Sequence, residues 1–401
     1  MTAIVSARSS PWEILVIFLR LGVTSFGGPI AHLGYFRTEF VERRRWLSDR
    51  GFSDVVALCQ FLPGPASSQV GMAIGLNRAG GLGLLAAWVG FTLPSAILLI
   101  AFAFGIVRFG AMADSSAVHG LKVVAVAVVA QAVWGMAKSL CPDRPRAALA
   151  VLAALLTLIL PSAVGQVAAI AIGACLGWWF LKPPDPSPLE LISFGVSKLA
   201  GWLALSLFVV LLVGLPLLGV ALQSPLMRLF EGFYRSGALV FGGGHVVLPL
   251  LQTVVVPSGA VSNAEFLAGY GAAQAVPGPL FTFAAYLGAV MHGPLSGWLG
   301  GLVFLVVIFV PAVLLLVGAL PFWDSLRRRN DIQAAMAGVN ASVVGILLSA
   351  LYDPVWRSSI HSRSDFGLGL AAFGLLVYAR VSPSIVVALS ALGSWVLGLL
   401  A

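Results

Sequence analysis

The chain states one short phrase twice, as Phe26-Gly27-Gly28 followed by Pro63-Gly64-Pro65, and as Phe241-Gly242-Gly243 followed by Pro277-Gly278-Pro279. Each copy lies inside an apolar stretch, where Gly and Pro interrupt a helix. A broken helix in a bilayer leaves backbone polar groups without partners, which is tolerated only where they line a cavity. The four breaks therefore predict one ion site inside a membrane.

The composition indicates a membrane protein with many helices. Of the 401 residues, 59% are hydrophobic and 9% are charged, which is typical of apolar helices joined by short loops. The run that contains Arg20 leads to no small-residue cleavage site, so we expect no removed signal peptide. The net charge of +8 lies mainly in loops that flank apolar segments, which favours a positive-inside bias over nucleic-acid binding. Cys59, Cys141 and Cys175 are isolated, with no redox or metal spacing.

An internal repeat covers most of the chain. Matched residues recur 214 to 218 positions apart, among them Arg20 with Arg235, Gln60 with Gln274, and Lys122 with Asn340. So many ordered matches predict two related halves. We place them at residues 1–183 and 224–401, joined by residues 184–223, which hold a Pro-rich linker and one extra helix.

The loop charges predict that the two halves are inverted. The loop that follows the first Phe-Gly-Gly is rich in arginine, whereas its partner at 251–263 has no Lys or Arg. One step later, residues 108–117 carry one Arg and the matching loop carries three, at 327–329. Opposite charge in matching loops favours inverted repeats. Loop 353–365 is the exception, because it should lie outside yet carries two arginines.

This topology requires that one of the two segments before 108–117 fails to cross. The Pro-Gly-Pro segments fit, because about 14 residues, or roughly 21 Å, separate their N-caps from the breaks. Ser262 and Glu265 have the spacing of a capping box at one such N-terminus. We expect an all-α polytopic membrane protein of two inverted-topology repeats, with broken or re-entrant helices and about 10–13 membrane segments.

Arg20 and Arg235 stand near the middle of equivalent apolar segments. A buried arginine normally faces a polar cavity or a partner, and its planar fork of donors suits a tetrahedral oxyanion. The alternative is a structural arginine that pairs with Glu13 or Glu231. Because the repeat places both arginines, we favour an anion role.

The helices that start after the two Pro-Gly-Pro breaks are expected to present free N–H groups and the positive end of the helix dipole. Small hydroxyl residues follow, and a Gln precedes each break. The alternatives are kinks for packing and Gln as interhelical glue. The expected substrate-binding set is Arg20, Phe26, Gly27, Gly28, Gln60, Pro63, Gly64, Pro65, Ser67, Ser68, Arg235, Phe241, Gly242, Gly243, Gln274, Pro277, Gly278, Pro279 and Thr282.

Four further residues are candidates for proton or anion coupling. His32 and His245 flank the Phe-Gly-Gly motifs and could titrate near neutral pH, and either could instead serve helix packing. Lys122 lies inside an apolar segment and could attract an anion or snorkel from a helix end. Asp54 is the fourth, although it also suits a first-turn position.

The scarcity of acidic residues inside the segments argues against cation transport. No nucleotide-binding, hydrolase or metal motif is present, so we expect neither an enzyme nor a cofactor, and an ion gradient or a partner protein as the energy source. A membrane enzyme or scaffold would show a reactive constellation or a soluble binding face.

The stretch from Phe26 to Arg37, FGGPIAHLGYFR, and the stretch from Gln60 to Gln69, QFLPGPASSQ, closely resemble the chromate ion transporter family. The chain is similar to the long, two-domain form throughout. The second copy departs from the first, with Gly244 in place of Pro29 and no His at the place of His32, so the halves could contribute unequally.

The resemblance implies a multi-pass protein of the bacterial inner membrane that exports chromate, with proton coupling and chromate resistance. Sulfate is the related anion, and transport of another oxyanion, or import, is the alternative. The implied partners are chromate, protons and the lipid bilayer, with no nucleic acid, and a homodimer is left open.

Overall fold

The computed structural model describes residues 9–26, 28–108, 116–181, 194–241, 244–293, 295–326 and 329–400. Across these ranges the regular elements are helices, with no strand. Three glycines of the expected site, Gly27, Gly242 and Gly243, lie outside the described residues.

Helices α1 (Pro11–Thr24) and α2 (Gly28–Arg37) form an antiparallel hairpin, and α2 continues into a π-helical turn over Thr38–Arg43. Phe18 of α1 packs against Phe36 and Phe40, with ring centroids 5.6 and 5.2 Å apart. Glu13 and Arg44 form an ion pair of 3.2 Å at the open end of the hairpin. Both ends therefore lie on one face of the protein.

Helices α3 (Asp49–Phe61) and α4 (Ala66–Arg108) begin with a second hairpin around Pro63-Gly64-Pro65. α4 is interrupted at Ala79 and Gly80, whose backbone angles are not helical. Residues 66–78 therefore return to the face from which α3 entered, and residues 81–108 cross the protein. Arg78, at the end of this stretch, stacks its guanidinium on Trp46 at 4.7 Å. Because Trp46 lies shortly before the start of α3, this contact shows that the chain has returned to that face.

The Phe-Gly-Gly and Pro-Gly-Pro segments of the first half thus both turn back, whereas the sequence predicts that only the Pro-Gly-Pro segment is re-entrant. The sequence does not predict the return of the Phe-Gly-Gly segment, because hydropathy cannot distinguish a span from two half-length helices joined by a turn. The orientation of the later helices is unchanged by this correction.

Helices α5 (Ser116–Leu140), α6 (Arg144–Ile159) and α7 (Ala163–Phe180) complete the first half. Helix α8 (Lys198–Ala221) lies at the periphery, where most of its apolar side chains are exposed. An apolar, exposed helix of this length is suited to contact with lipid.

The second half repeats this order. A first hairpin consists of α9 (Pro225–Ala238), a 3-10 turn at Gly244–Val246 and α10 (Val247–Val255). A second consists of α11 (Asn263–Ala275), a 3-10 turn at Leu280–Thr282 and α12 (Phe283–Val290). The predicted capping box of Ser262 and Glu265 is present at the start of α11. The remaining elements are α13 (Gly297–Ala319), a 3-10 turn at Leu320–Phe322, α14 (Trp323–Leu326), α15 (Asn330–Ala350), a π turn at Leu351–Trp356, α16 (Arg357–Ser359), α17 (Arg363–Val377) and α18 (Pro383–Leu400).

Two faces can be distinguished by the helix ends that meet there. We call the face that carries Arg43, Arg44, Arg78, Arg144 and Arg329 the arginine-rich face. On the opposite face, the end of α4 meets the start of α13 through Phe104 and Trp298, and α5 meets α17 there.

Five crossings, by residues 81–108, α5, α6, α7 and α8, separate the hairpins of the two halves. The second half therefore starts from the opposite face, which makes the two halves inverted repeats. Loop 353–365, the exception to the charge pattern, lies on the face opposite the arginine-rich one. There Arg357 forms an ion pair of 3.0 Å with Asp353.

The halves also exchange their last helices. α6 and α7 of the first half pack against α15 of the second, and α17 and α18 pack against α5. Within the described ranges, five helical stretches are long and apolar enough to cross a membrane: Ala66–Val107, which contains the interruption at Ala79 and Gly80, His119–Leu140, Lys198–Ala221, Gly297–Phe322 and Asn330–Ser359.

The breaks of the two halves meet through two crossed hydrogen bonds. The Gly64 N–H donates to the Val240 carbonyl at 2.6 Å, and the Gly278 N–H donates to the Ser25 carbonyl at 2.9 Å. Val240 occupies the repeat position of Ser25, and Gly278 that of Gly64, so the two bonds are equivalent. Each Pro-Gly-Pro turn is thus tied to the first helix of the other half.

We call the place where these two hydrogen bonds join the breaks of the two halves the crossing. It lies half-way through the protein. Gly278 packs beside Phe91 and Ser95, near the middle of residues 81–108, and Gly64 packs beside Ala312 of α13. Both glycines have positive φ, +127° at Gly64 and +95° at Gly278, which other residues rarely adopt.

Replacing Gly278 by Ala should destabilise the protein. The new Cβ would lie 2.9 Å from Ser95 Oγ and 3.2 Å from the Phe91 carbonyl oxygen, and the strained backbone alone costs about 1–3 kcal/mol. Thermal unfolding of the purified protein in detergent should show a lower Tm. Gly105→Ala is the control, because a Cβ there meets nothing within 4 Å. Equal Tm values for both variants would contradict the crossing.

Candidate functional site

Arg20 lies in an open groove of about 640 Å³, which α1 forms with α2 and the π-helical turn that follows α2. Its side chain is exposed and, among the described residues, has no ion-pair partner. Arg43 and Arg44 share the carboxylate of Glu39, at 3.0 and 2.7 Å, and Glu13 pairs with Arg44. Glu39 lines the same groove and also attracts Arg20, but it is already paired with two other arginines, so Arg20 offers a cation that has no ion pair of its own in the described part of the chain.

The same groove exists in the second half but is closed. Arg235, Ser236, Leu239, Leu250 and Thr253 occupy the repeat positions of groove residues around Arg20. Here α7 covers the groove with Gln166 and Val167, and no room for a water molecule remains. Arg235 is half-buried and pairs with Glu231 at 2.6 Å, the partner that a structural role predicts.

Helices α3 and α11 show the same asymmetry. Ser53, Ala57 and Gln60 form an exposed face of α3. The matching positions on α11 are Leu267 and Gly271, which are buried, and Gln274, which is half-buried.

These exposures follow from the packing of the two helices. α11 packs against α5 and α18, whereas α3 makes no comparable contact with α15 and α7 in the part of the chain that the structure describes. The first-half hairpins are therefore uncovered on the side that faces the arginine-rich face, whereas the matching side of the second-half hairpins is covered by neighbouring helices.

The Pro-Gly-Pro turns do not present all their amides freely. The N–H groups of Gly64 and Gly278 are used in the crossed bonds. The flanking prolines Pro63, Pro65, Pro277 and Pro279 have no N–H to offer. In the first half, the free amides that a ligand could meet are those of Ala66, Ser67 and Ser68 in the first turn of α4.

His32 links α2 to the start of α4. Its Nδ1 lies 3.3 Å from the Ser67 hydroxyl, and the imidazole also neighbours the backbone of Ser25. The Phe91 ring packs edge-on against it at 5.3 Å. His32, Ser67 and Ser68 are all buried, so the structure brings these three predicted residues together beside the crossing.

Gln69 is a part of this region that residue patterns alone do not single out. It is fully buried, and its Nε2 donates to the Pro63 carbonyl at 3.0 Å and to the Ala312 carbonyl at 3.4 Å. It thereby ties the first Pro-Gly-Pro turn to α13 of the other half. Its only signal in the sequence is a polar amide one turn into an apolar helix.

The predicted residues of the second half have different surroundings. Thr282 donates its hydroxyl to the Pro279 carbonyl at 2.7 Å. His245 Nδ1 lies 2.9 Å from the Tyr270 hydroxyl. Gln274 Nε2 is buried and has no partner among the described residues.

The remaining candidates have no contact with His32, Ser67 or Ser68 among the hydrogen bonds and ion pairs of the described residues. Phe26 and Phe241 are half-buried beside the breaks, and Gly28 has a positive φ of +80°. Lys122 is half-buried on α5, whose neighbour Leu121 contacts Gly271 of α11. Asp54 is half-buried on α3.

A family model described as chromate transporter matches residues 12–178 and 227–395. The chain belongs to the chromate transporter family. A chromate transport protein of Pseudomonas aeruginosa is 27% identical over 404 residues, which cover 96% of this chain and 91% of that protein. A chromate transport protein of Cupriavidus metallidurans is 25% identical over 388 residues, which cover 95% and 91%. No solved structure matches this member of the family.

The open and closed faces can be distinguished with single cysteines. In a background without Cys59, Cys141 and Cys175, Gln60→Cys should react with a membrane-impermeant thiol reagent added at the arginine-rich face. Gln274→Cys should react much more slowly, because its surroundings are buried. Labelling rates in sealed vesicles of known orientation measure the difference. Equal rates would contradict an opening on one side.

Proposed function

We propose that the protein is a secondary transporter that exports chromate across the bacterial inner membrane. Its membership of the family supports this, together with the names of relatives from two bacteria, which are chromate transport proteins. The observation that carries the proposal is the crossing, where helix breaks of both halves meet at the middle of the protein.

The positive-inside rule assigns the arginine-rich face to the cytoplasm. The open groove at Arg20 and the exposed face of α3 then face the cytoplasm, from which an exported anion must enter. A charged arginine at membrane depth costs about 2.5–3.5 kcal/mol on insertion scales, so we place Arg20 at water that fills this opening. Its role is to attract the anion toward the crossing.

The inverted repeat supplies a second state. In that state the first half adopts the closed packing of the second, and the second half opens around Arg235. Such an exchange moves access from one face to the other while the breaks stay at the centre, as in other transporters built from inverted repeats.

The membrane potential favours the proposed direction. With a negative cell interior, moving a dianion outward is favourable by roughly 4–5 kcal/mol per 100 mV, and an inward proton adds about 2.3 kcal/mol per 100 mV. We include inward proton movement in the proposal. His32, which touches Ser67 beside the crossing, is the foremost candidate to carry the proton. His245, Lys122 and Asp54 remain the other coupling candidates.

Transport into inverted membrane vesicles tests this function. Energised vesicles that contain the protein should accumulate chromate above the level of vesicles without it, and a protonophore should reduce the accumulation. Accumulation that an excess of sulfate abolishes would favour a broader oxyanion transporter. Chromate release from preloaded vesicles instead of uptake would indicate an importer and contradict export.

Replacing Arg20 by Gln should reduce chromate accumulation strongly without loss of membrane insertion, because the groove then lacks the one cation that, among the described residues, has no ion pair of its own. Arg20→Lys should keep part of the activity, since the charge remains. Arg144→Gln, which removes an exposed arginine at the same face, is the matched control and should transport like the parent protein. Equal transport by Arg20→Gln and Arg144→Gln, at equal protein levels, would rule out this role.

A further inference from the structure

Each half contributes one copy of the residues that surround the crossing, and the two copies differ in one consistent way. Five polar residues of the first copy stand opposite four apolar residues and one threonine at the repeat positions of the second. The pairs are Ser25 with Val240, His32 with Val247, Ser67 with Phe281, Ser68 with Thr282, and Gln69 with Phe283.

The first copy is buried yet incompletely hydrogen-bonded. Ser25, His32, Ser68 and Gln69 are each at least 98% buried. Among the described residues, Ser25 Oγ, His32 Nε2, Ser68 Oγ and Gln69 Oε1 have no hydrogen-bond partner. Buried polar atoms without partners are costly, so these four neighbouring residues mark a place where a bound ligand would supply the missing partners.

Among its described residues, the second copy has no such cluster at the repeat positions. Val240, Val247, Phe281 and Phe283 are buried in the apolar core. Thr282, the single polar residue, satisfies its own hydroxyl by donating to the Pro279 carbonyl. At these five positions, all within the described ranges, the second copy fills its space with side chains and leaves no polar side-chain atom without a partner.

We propose that the transporter holds a single tetrahedral oxyanion, and that only the first copy binds it. The ligands are the Ser25 and Ser68 hydroxyls, the His32 imidazole and the amides of the first turn of α4, while Gln69 positions the turn. The second copy is an apolar counterpart that supports the crossing. This inference rests on the proposed function, since it identifies the site for the transported anion.

The donors of the first copy suit an anion. α4 starts at Ala66 without a side-chain cap, so its first amides and the positive end of its dipole face the cluster. An imidazole that accepts the Ser67 hydroxyl at Nδ1 carries its proton on Nε2, which then donates to the ligand. Neutral donors on α1, α2 and α4 can hold an anion without permanently burying a positive charge.

The other half fixes the position of these donors. Ser25, which ends α1, accepts the Gly278 N–H through its carbonyl, so its hydroxyl is placed by the second Pro-Gly-Pro turn. Gln69 bonds Ala312 of α13. Each half therefore contributes to the geometry, although the ligand atoms belong to one half.

Anion binding to the purified protein in detergent tests this site. Calorimetric titration with chromate, and separately with sulfate, should give one anion per chain. Ser25→Ala and Ser68→Ala should each weaken binding roughly tenfold to a hundredfold, as loss of a hydrogen bond to a charged group predicts. Val240→Ala, the matched change in the second copy, should bind like the parent protein. Thermal unfolding confirms that each variant is folded.

Two anions per chain, or unchanged binding by both serine variants, would overturn the one-sided site. The proposed function survives that result if the vesicles still accumulate chromate. If the parent protein neither binds these anions nor transports them, the proposed function fails, and the site with it.

Discussion

Two hydrogen bonds, from Gly64 to Val240 and from Gly278 to Ser25, hold the centre of this protein. Each joins a helix break of one half to the helix end of the other, and the repeat makes them equivalent. In a bilayer no water replaces a lost backbone partner, so these bonds determine how closely the two halves approach. The positive φ of both glycines, the packing on α4 and α13, and the position of Ser25 all depend on them.

Equivalent bonds do not make the two halves alike. The groove at Arg20 is open, while its counterpart at Arg235 is covered by α7. Ala57 of α3 is exposed, while Gly271 of α11 packs on α5. A chain built from inverted repeats can exchange such conformations between its halves. The difference in packing between the halves therefore bears on which face of the protein the anion reaches. The difference in residue type at the crossing bears on which half binds it.

Much of the fold was predictable from the sequence, and the reasons are physical. The repeated breaks, the shortness of the Pro-Gly-Pro segments and the loop charges together predict inverted halves with re-entrant helices. The return of α1 and α2 to one face was not predictable, because residues 12–33 are apolar for long enough to span. The crossed bonds join residues some 175 to 250 positions apart, and local patterns contain no trace of such pairing.

The site was predictable only in part. His32, Ser67 and Ser68 stand beside the breaks in the sequence and meet in the structure. Arg20 and Arg235 match in sequence, yet one is exposed in a groove and the other is paired with Glu231, which only packing decides. Ser25 and Gln69 are single polar residues in apolar surroundings, and their burial without full partners is a property of the assembled crossing.

The most direct test is to locate the anion itself. Selenate is a tetrahedral dianion whose selenium scatters anomalously, so crystals grown with it would show its position independently of the protein phases. We predict one anomalous peak per chain, within hydrogen-bond distance of Ser68 and His32 at the start of α4. A peak beside Arg235 or Thr282, or equal peaks in both copies, would contradict the account.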